Sequence, residues 1–387
     1  MPTPVARRII VAPQAFKGSA DARAVAEAIA EGLRAVWPDA LVDLVPVADG
    51  GEGTVRAIVE AAGGEYRDSA VTDPLGRTVR ARWGLLDRGE TAVIEMAAAS
   101  GLPLVTDNER DARRASSYGT GELLRAAARA GARRVIIGIG GSATNDGGAG
   151  MLRALGLRLV DERGADLPEG GAALARLARI EGELDPALRG LELLVASDVR
   201  NPLTGPRGAS AVFGPQKGAS PEDVRVLDAA LAHYADVVAR RAGRDVRHEA
   251  GAGAAGGVGF ALMAMLGARL RSGADLVLDA VRFDERARQA WLCVTGEGRL
   301  DGQSLFGKAT ITVARRAHAA GTPVAAIVGS IGPGFEEAWS HGVGAIEAIA
   351  TGPADLETLV RDWRVLVRAA AERLARALQL GHEMDTV

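Results

Sequence analysis

The sequence predicts an α/β protein of two domains: a discontinuous doubly wound domain with a second, mixed α/β domain inserted into it. Three observations carry this. The chain opens with strand–helix–strand–helix alternation on short links, the pattern of a parallel sheet. The alternation breaks after about residue 64, where strand-like runs separated by turns read as an antiparallel meander. It returns from about residue 285 to the end. The 387 residues suffice for two or three domains, at ~150 residues each. The expected boundaries are 1–64 and 281–387 for the outer domain and 65–280 for the insert.

The elements follow in order. RRIIVAPQAF (7–16) is a buried-strand pattern that breaks at Pro13. Ser19 or Asp21 is placed to cap an alanine-rich helix over 21–36. LVDLVPVAD (41–49) reads as a strand, and GEGTVRAIVEAAGG as a helix that stops at Gly63-Gly64. In 65–96, YRDSAVT, TVRARWGLL and TAVIEMA are strands, divided by Pro74-Leu75-Gly76 and Asp87-Arg88-Gly89. A helix over 120–131, a strand over 134–141 and a helix after the next glycine loop come next. LELLVASDV (191–199) is a strand, and helices cover 221–242 and 257–272. The last part alternates strands at 291–298, 323–330 and 345–351 with helices at 308–320, 334–341 and 355–379.

Composition excludes several function classes. A net charge of -3 argues against a nucleic-acid-binding surface and gives no reason to expect an anionic membrane. No apolar run approaches the ~20 residues that span a bilayer. The N-terminus has no long apolar segment with a cleavage signature, so a cytoplasmic protein is expected. One cysteine, Cys293, rules out a disulfide framework within the chain, and it lies inside a strand as a packing residue. The histidines are scattered without metal-ligand spacing. Of 46 basic residues only Lys17, Lys217 and Lys308 are lysines, and each has a glycine beside it. A compact ammonium next to glycine suits a phosphate-approaching loop.

Five glycine-rich segments carry the chemistry. Gly138–Gly150, GIGGSATNDGGAG, follows a strand and opens a helix. Its glycines uncover backbone N–H groups, and the helix start adds a positive dipole end, so Gly140, Gly141, Ser142, Thr144 and Asn145 form an anion cradle in which Asp146 can approach a metal. PVADGGEGT (46–54) joins a strand end to a helix, where open α/β sheets bind ligands. Asp49 there either caps the helix or faces the ligand. Asp198 ends an apolar strand before Val199-Arg200-Asn201-Pro202 and serves as base, metal ligand or turn anchor. FGPQKGA (213–219) holds Lys217. In TGEGRLDGQSLFGKAT (295–310), Gly302–Lys308 has the spacing of a P-loop, but Ala309 stands where Ser or Thr is needed. Glu297 and Asp301 can still hold Mg2+. Gly251–Gly259 matches G-x-G-x-x-G without a preceding strand, which suits a close backbone passage better than a dinucleotide site.

Taken together and in order, APQAFKGS, PVADGGEGT, EMAAASGL, GTGEL, GIGGSATNDGGAGM, DVRNPLTG, FGPQKGA, GAGAAGGVG and TGEGRLDGQSLFGK resemble the type I glycerate kinase family, bacterial enzymes that phosphorylate D-glycerate with ATP. The resemblance spans essentially the whole chain and implies a Rossmann-like outer domain. It implies that loop 140–148, with Lys217, takes nucleotide phosphates. Lys17 or Lys308 would neutralise the moving phosphoryl group, with Asp49 also in the catalytic set. Asp198, Glu297 and Asp301 would divide Mg2+ binding and hydroxyl orientation among them. It points to carbon 2 and 2-phosphoglycerate, whereas hindrance alone favours the primary hydroxyl and 3-phosphoglycerate. Gln14 and Ala15 stand where the family commonly has an acid and a serine, Tyr118 where it often has arginine, and Ser197 where it often has cysteine. Two other readings stay open here: an NAD-dependent oxidoreductase using glycines 251–256, and a non-catalytic small-ligand sensor.

Overall fold

The computed structural model describes residues 7–16, 18–48, 50–302 and 309–384, the side chains of 382 and 383 excepted. Lys17, Asp49 and Lys308, expected in the catalytic set, lie outside the described residues. The chain forms two compact units. The first comprises Met1–Asp49, Glu60–Ala62 and Ala274–Val387, and the second Gly50–Val59 and Gly63–Gly273.

The strands are β1 (Arg8–Pro13), β2 (Leu41–Leu44), β3 (Glu65–Thr72), β4 (Thr78–Leu86), β5 (Thr91–Glu95), β6 (Arg134–Gly138) and β7 (Arg158–Val160). They continue as β8 (Arg179–Glu181), β9 (Glu192–Ala196), β10 (Arg269–Arg271), β11 (Leu292–Leu300), β12 (Val324–Ile331) and β13 (Ala345–Ala348). The first unit holds a five-stranded sheet ordered β13-β12-β11-β1-β2, parallel throughout. Its central strands are apolar on both faces: Ile9, Ile10, Val11, Cys293 and Val294 are all buried, as expected where helices cover both sides. The chain leaves β1 toward β2 on one side and leaves β11 toward β13 on the other, so the β1/β11 boundary is a topological switch point.

The helix Ala22–Val36 is capped by Asp21, whose Oδ1 accepts from Ala24 N at 2.8 Å. It packs along the long helix Trp363–Met384, and Val25, Ile29 and Leu33 meet Val367, Ala371 and Leu374 in one core. The crossing is close at Gly32, where a Cβ would fall on the Arg368 carbonyl oxygen and 2.7 Å from the Ala371 Cβ. On helix Ala309–Ala319, Arg316 is only 16% exposed and ion-pairs Asp279 at 2.8 Å and Asp284 at 2.8 Å. That ties it to the helices Gly273–Ala280 and Phe283–Ala287.

The second unit holds a six-stranded sheet ordered β10-β9-β6-β5-β4-β3. The meander read from the sequence is present as antiparallel β3-β4-β5. It lies in a different sheet from β1 and β2, and β5 continues into the parallel set β6, β9 and β10, which makes one mixed sheet. Other differences are local. The expected 257–272 helix ends at Leu266, because Gly267 turns left-handed at φ 66°, and 269–271 become β10. The segment 334–341 is a 3-10 turn, the closing helix is broken at Asp362, and the small antiparallel β7-β8 pair carries too few residues to show a pattern.

The Gly32 crossing gives a stability prediction. In an exposed helix Gly→Ala gains about 1 kcal/mol of propensity. Here Gly32→Ala is expected to lose roughly 1–3 kcal/mol, because overpacking against the facing backbone outweighs that gain. Urea denaturation measures it, and a stabilised variant would show that the two helices do not pack this closely.

Candidate functional site

Each unit gathers its chemistry at the carboxyl ends of its parallel strands. In the second unit, register places Glu95, Gly138 and Ala196 side by side at the ends of β5, β6 and β9. The loop at Gly50 lies across this row: Gly140 N donates to Gly50 O at 3.2 Å. The Glu95 carboxylate accepts from Val55 N at 2.6 Å and holds the start of the helix Thr54–Ala62. Burial pushes its pKa up, the amides of Val55, Gly53 and Thr54 work against that, and the nearby Glu52 adds to it.

Asp146 sits at the centre of the glycine loop and is fully buried. Its carboxylate accepts from Ser117 Oγ at 2.8 Å, Ser117 N at 2.9 Å, Gly148 N at 3.1 Å and Gly150 N at 3.1 Å. The start of the helix Ala149–Ala154 is therefore satisfied from within the fold. Other amides of the loop are engaged too. Ala143 N donates to Ser100 O at 2.9 Å and Gly147 N to Gly256 O at 2.9 Å. The literal G-x-G-x-x-G stretch packs against this loop: Gly256 is left-handed at φ 66°, and a Cβ there would strike Thr144 O. Its glycines serve close backbone passage, in a 3-10 turn with no strand before it.

Lys217 is 1% exposed and reaches the same loop. Its ammonium donates to Thr144 O at 2.6 Å and Ser142 Oγ at 2.9 Å. Burial pushes its pKa down to about 7, and the charge of Asp146 pulls the other way. Asn145 Nδ2 donates to Ser210 Oγ at 2.8 Å. Thr144 Oγ1, Asn145 Oδ1 and the Tyr234 hydroxyl are buried with no hydrogen-bond partner among the described residues. Gly141 is exposed and Gly140 half-buried, so solvent reaches the loop there. Asp198 follows β9 on the same strand-end side, half-buried, its Oδ1 accepting from Gly273 N at 3.3 Å.

In the first unit a cleft of about 370 Å³ opens at the β1/β11 switch point. Gln14 after β1, Glu297 and Arg299 on β11, and Ser330 on β12 line its polar side. Phe16, Ile349, Val360 and Trp363 line its apolar side. Gln14 and Glu297 are buried, at 7% and 4% exposure. Asp301 ion-pairs Arg299 at 3.0 Å.

The predicted residues thus fall into two groups. Gly140, Gly141, Ser142, Thr144, Asn145, Asp146, Asp198 and Lys217 belong to the second unit, Glu297 and Asp301 to the first. Among the described residues no three His, Cys, Asp or Glu side chains cluster as metal ligands. Glu95 was not singled out in the sequence, though it opens the EMAAASGL segment; nothing local shows that it reaches back across the chain to Val55. The cleft wall at Val360 and Trp363 sits on helices whose sequence carries no site signal. Among the described residues, no helix is long and apolar enough to cross a membrane.

The family model described as "Glycerate kinase family" matches residues 9–379. A glycerate kinase of Bacillus subtilis is 48% identical over 378 residues, covering 97% of this chain and 99% of that protein. A glycerate 2-kinase of Escherichia coli is 46% identical over 375 residues, covering 97% and 98%. A crystal structure from Salmonella typhimurium LT2, assigned as a glycerate kinase 2, superposes with a TM-score of 0.87 at 47% identity, covering 98% of this chain and all of that one.

Lys217 sets the pH prediction. Its folded pKa of about 7 lies below the unfolded value, which is ~10.4 for lysine. The unfolded chain therefore binds more protons between those values, and the lysine's unfavourable contribution shrinks as pH rises through that window. Lys217→Met removes the titration, so wild type should gain on this variant by roughly 2–3 kcal/mol between about pH 7 and pH 9.5. Unfolding curves at several pH values measure it. Parallel stability profiles would mean that the amine stays charged in the fold.

Proposed function

The chain belongs to the glycerate kinase family, and we propose that it transfers the γ-phosphoryl group of ATP to the 2-hydroxyl of D-glycerate, giving 2-phosphoglycerate. That it is a kinase follows from the family, and ATP is the phosphoryl donor such a family uses. This sets aside the oxidoreductase and sensor readings. The observation that carries the choice of carbon 2 is the 46% identity, across 97% of the chain, to a relative whose name specifies a 2-kinase.

Phosphoryl transfer needs positioned phosphates, neutralised charge and an oriented hydroxyl. In our reading the loop 140–148 contributes through its side chains. Ser142 and Thr144 carry hydroxyls at the loop, and the ammonium of Lys217 sets Ser142. Asp146 acts from behind, holding the loop in one shape. Lys17 or Lys308 meets the moving phosphoryl group, and Asp49 joins them in the catalytic set. A loop held in one shape this way pays little reorganisation when charge develops in the transition state.

The donor set suits a hard divalent cation. Asp198, Glu297 and Asp301 each offer carboxylate oxygen, and the buried Glu297 that lines the cleft is the kind of carboxylate that Mg2+ takes together with substrate phosphates and waters. The ion would supply charge neutralisation at the phosphates. Selection of carbon 2 requires a grip on the carboxylate and the 3-hydroxyl, since a misplacement of ~1 Å costs about 10²-fold.

Two measurements test this. Coupling the product directly to enolase, with no phosphoglycerate mutase present, should give a signal. A signal that needs the mutase would make 3-phosphoglycerate the product. Chelation should abolish activity and Mg2+ restore it. Asp198→Asn, Glu297→Gln and Asp301→Asn should each be assayed for the Mg2+ concentration that half-restores rate, with a rise of roughly tenfold expected in at least one. Unchanged metal demand in all three would make these carboxylates structural.

A further inference from the structure

We propose that the cleft at the β1/β11 switch point of the first unit seats the adenosine half of ATP, with Trp363 and Val360 as the wall against which the base lies. The inference rests on the reading of the chain as an ATP-dependent kinase and says where the nucleotide's apolar end goes.

The position comes first. Open parallel sheets bind ligands outside the carboxyl ends of their strands, at the point where strand order reverses. Gln14, Glu297 and Ser330 mark those ends on β1, β11 and β12. The size comes next. About 370 Å³ lies within the range of sites for nucleotide-sized ligands and is far more than a three-carbon acid fills. The chemistry of the walls decides between the two substrates. Every carbon of glycerate carries oxygen, so it has no apolar face to bury. A purine has two, and Phe16, Ile349, Leu359, Val360 and Trp363 offer it apolar and aromatic surface. The buried Gln14 amide adds a side chain that carries both donors and an acceptor, as the polar edge of a base requires.

Two further observations point the same way. Leu356 lines this cleft yet is 75% exposed, an apolar side chain that a seated ligand would cover. In the second unit, the helix start of the glycine loop, expected to take the nucleotide phosphates, is filled by Asp146, and the start of Thr54–Ala62 is filled by Glu95. The glycine loop there is packed tightly against other backbone and presents no apolar slab.

Tryptophan emission tests the placement. The chain has five tryptophans, of which Trp363 lines the cleft. Adenosine and ADP should each change the emission of the wild-type protein. Trp363→Phe should lose that change, and Trp291→Phe, which lies outside the cleft lining, should keep it. Val360→Phe narrows the slot and should raise the calorimetric Kd for ADP and the KM for ATP by roughly tenfold or more, with the KM for glycerate moving less than about twofold. Its melting curve checks that it is folded, and Ser330→Leu, which also lines the cleft, should shift ADP binding in the same direction. If ADP binds by calorimetry but the Trp363 signal is absent and both cleft variants bind normally, the placement is wrong and the kinase reading stands. A Trp363 signal from glycerate rather than from adenosine would also overturn it. If no adenine nucleotide binds to the wild-type protein at all, the kinase reading falls and takes the placement with it.

Discussion

The Asp146 carboxylate is cut off from water, and four protein donors answer it: Ser117 through N and Oγ, Gly148 N and Gly150 N. An ionised carboxylate in that position is tolerated only when it is fully hydrogen-bonded, and removing a donor exposes the cost of a buried charge. The arrangement therefore couples elements that are distant in sequence. Ser117 opens the helix Tyr118–Arg129, Gly148 opens Ala149–Ala154, and Ser117 Oγ also accepts from Met151 N at 3.0 Å. Neither helix can shift without unmaking bonds to the same charge. The glycine loop between β6 and Ala149 thus has one shape, set from inside.

The same solution appears at β5. Glu95 takes the amides at the start of the helix Thr54–Ala62, which the glycines at 50, 51 and 53 bring down onto the sheet edge. Two helix starts that could attract a substrate anion are occupied by the protein's own carboxylates. Their free energy goes into preorganisation rather than into direct anion binding. What the edge leaves to solvent is then the half-buried Asp198 and the exposed backbone at Gly141, while the buried Ser142 hydroxyl is held by Lys217.

This marks how far the sequence could be read. Helices 22–36 and 221–242 were legible to within a residue because cap, apolar stripe and stop all agree: Asp21 or Ser220 at the start, and Gly243 at the end of the second. The parallel strands were legible as short apolar runs between glycine signals. The gaps have physical causes. Whether a meander joins a neighbouring sheet depends on pairing between strands, which the composition of β5 does not encode. β10 is three residues long. At the site, glycine richness was a true signal with two possible causes, open amides or crowded backbone. Only the positions of Gly50, Gly256 and Ser117 around the loop separate them. A carboxylate such as Glu95 that acts forty positions away leaves no local trace.

The lysines make the last step. In a chain where 43 of the 46 basic residues are arginine, a lysine at 217 has a structural reason. Its amine lies buried between a carbonyl and a hydroxyl, at 2.6 Å from Thr144 O and 2.9 Å from Ser142 Oγ. A planar guanidinium with five donors would leave N–H groups unpaired there, and it could not shed its charge to lower the desolvation cost. A primary amine does both: it satisfies two acceptors and can give up its proton near neutrality. Arginine suffices where a cation meets solvent or a carboxylate fork, as Arg316 does between Asp279 and Asp284. At 217 lysine is kept because the charge is enclosed and small, so the arginine preference of the sequence and the chemistry of this loop are settled by the same physical distinction.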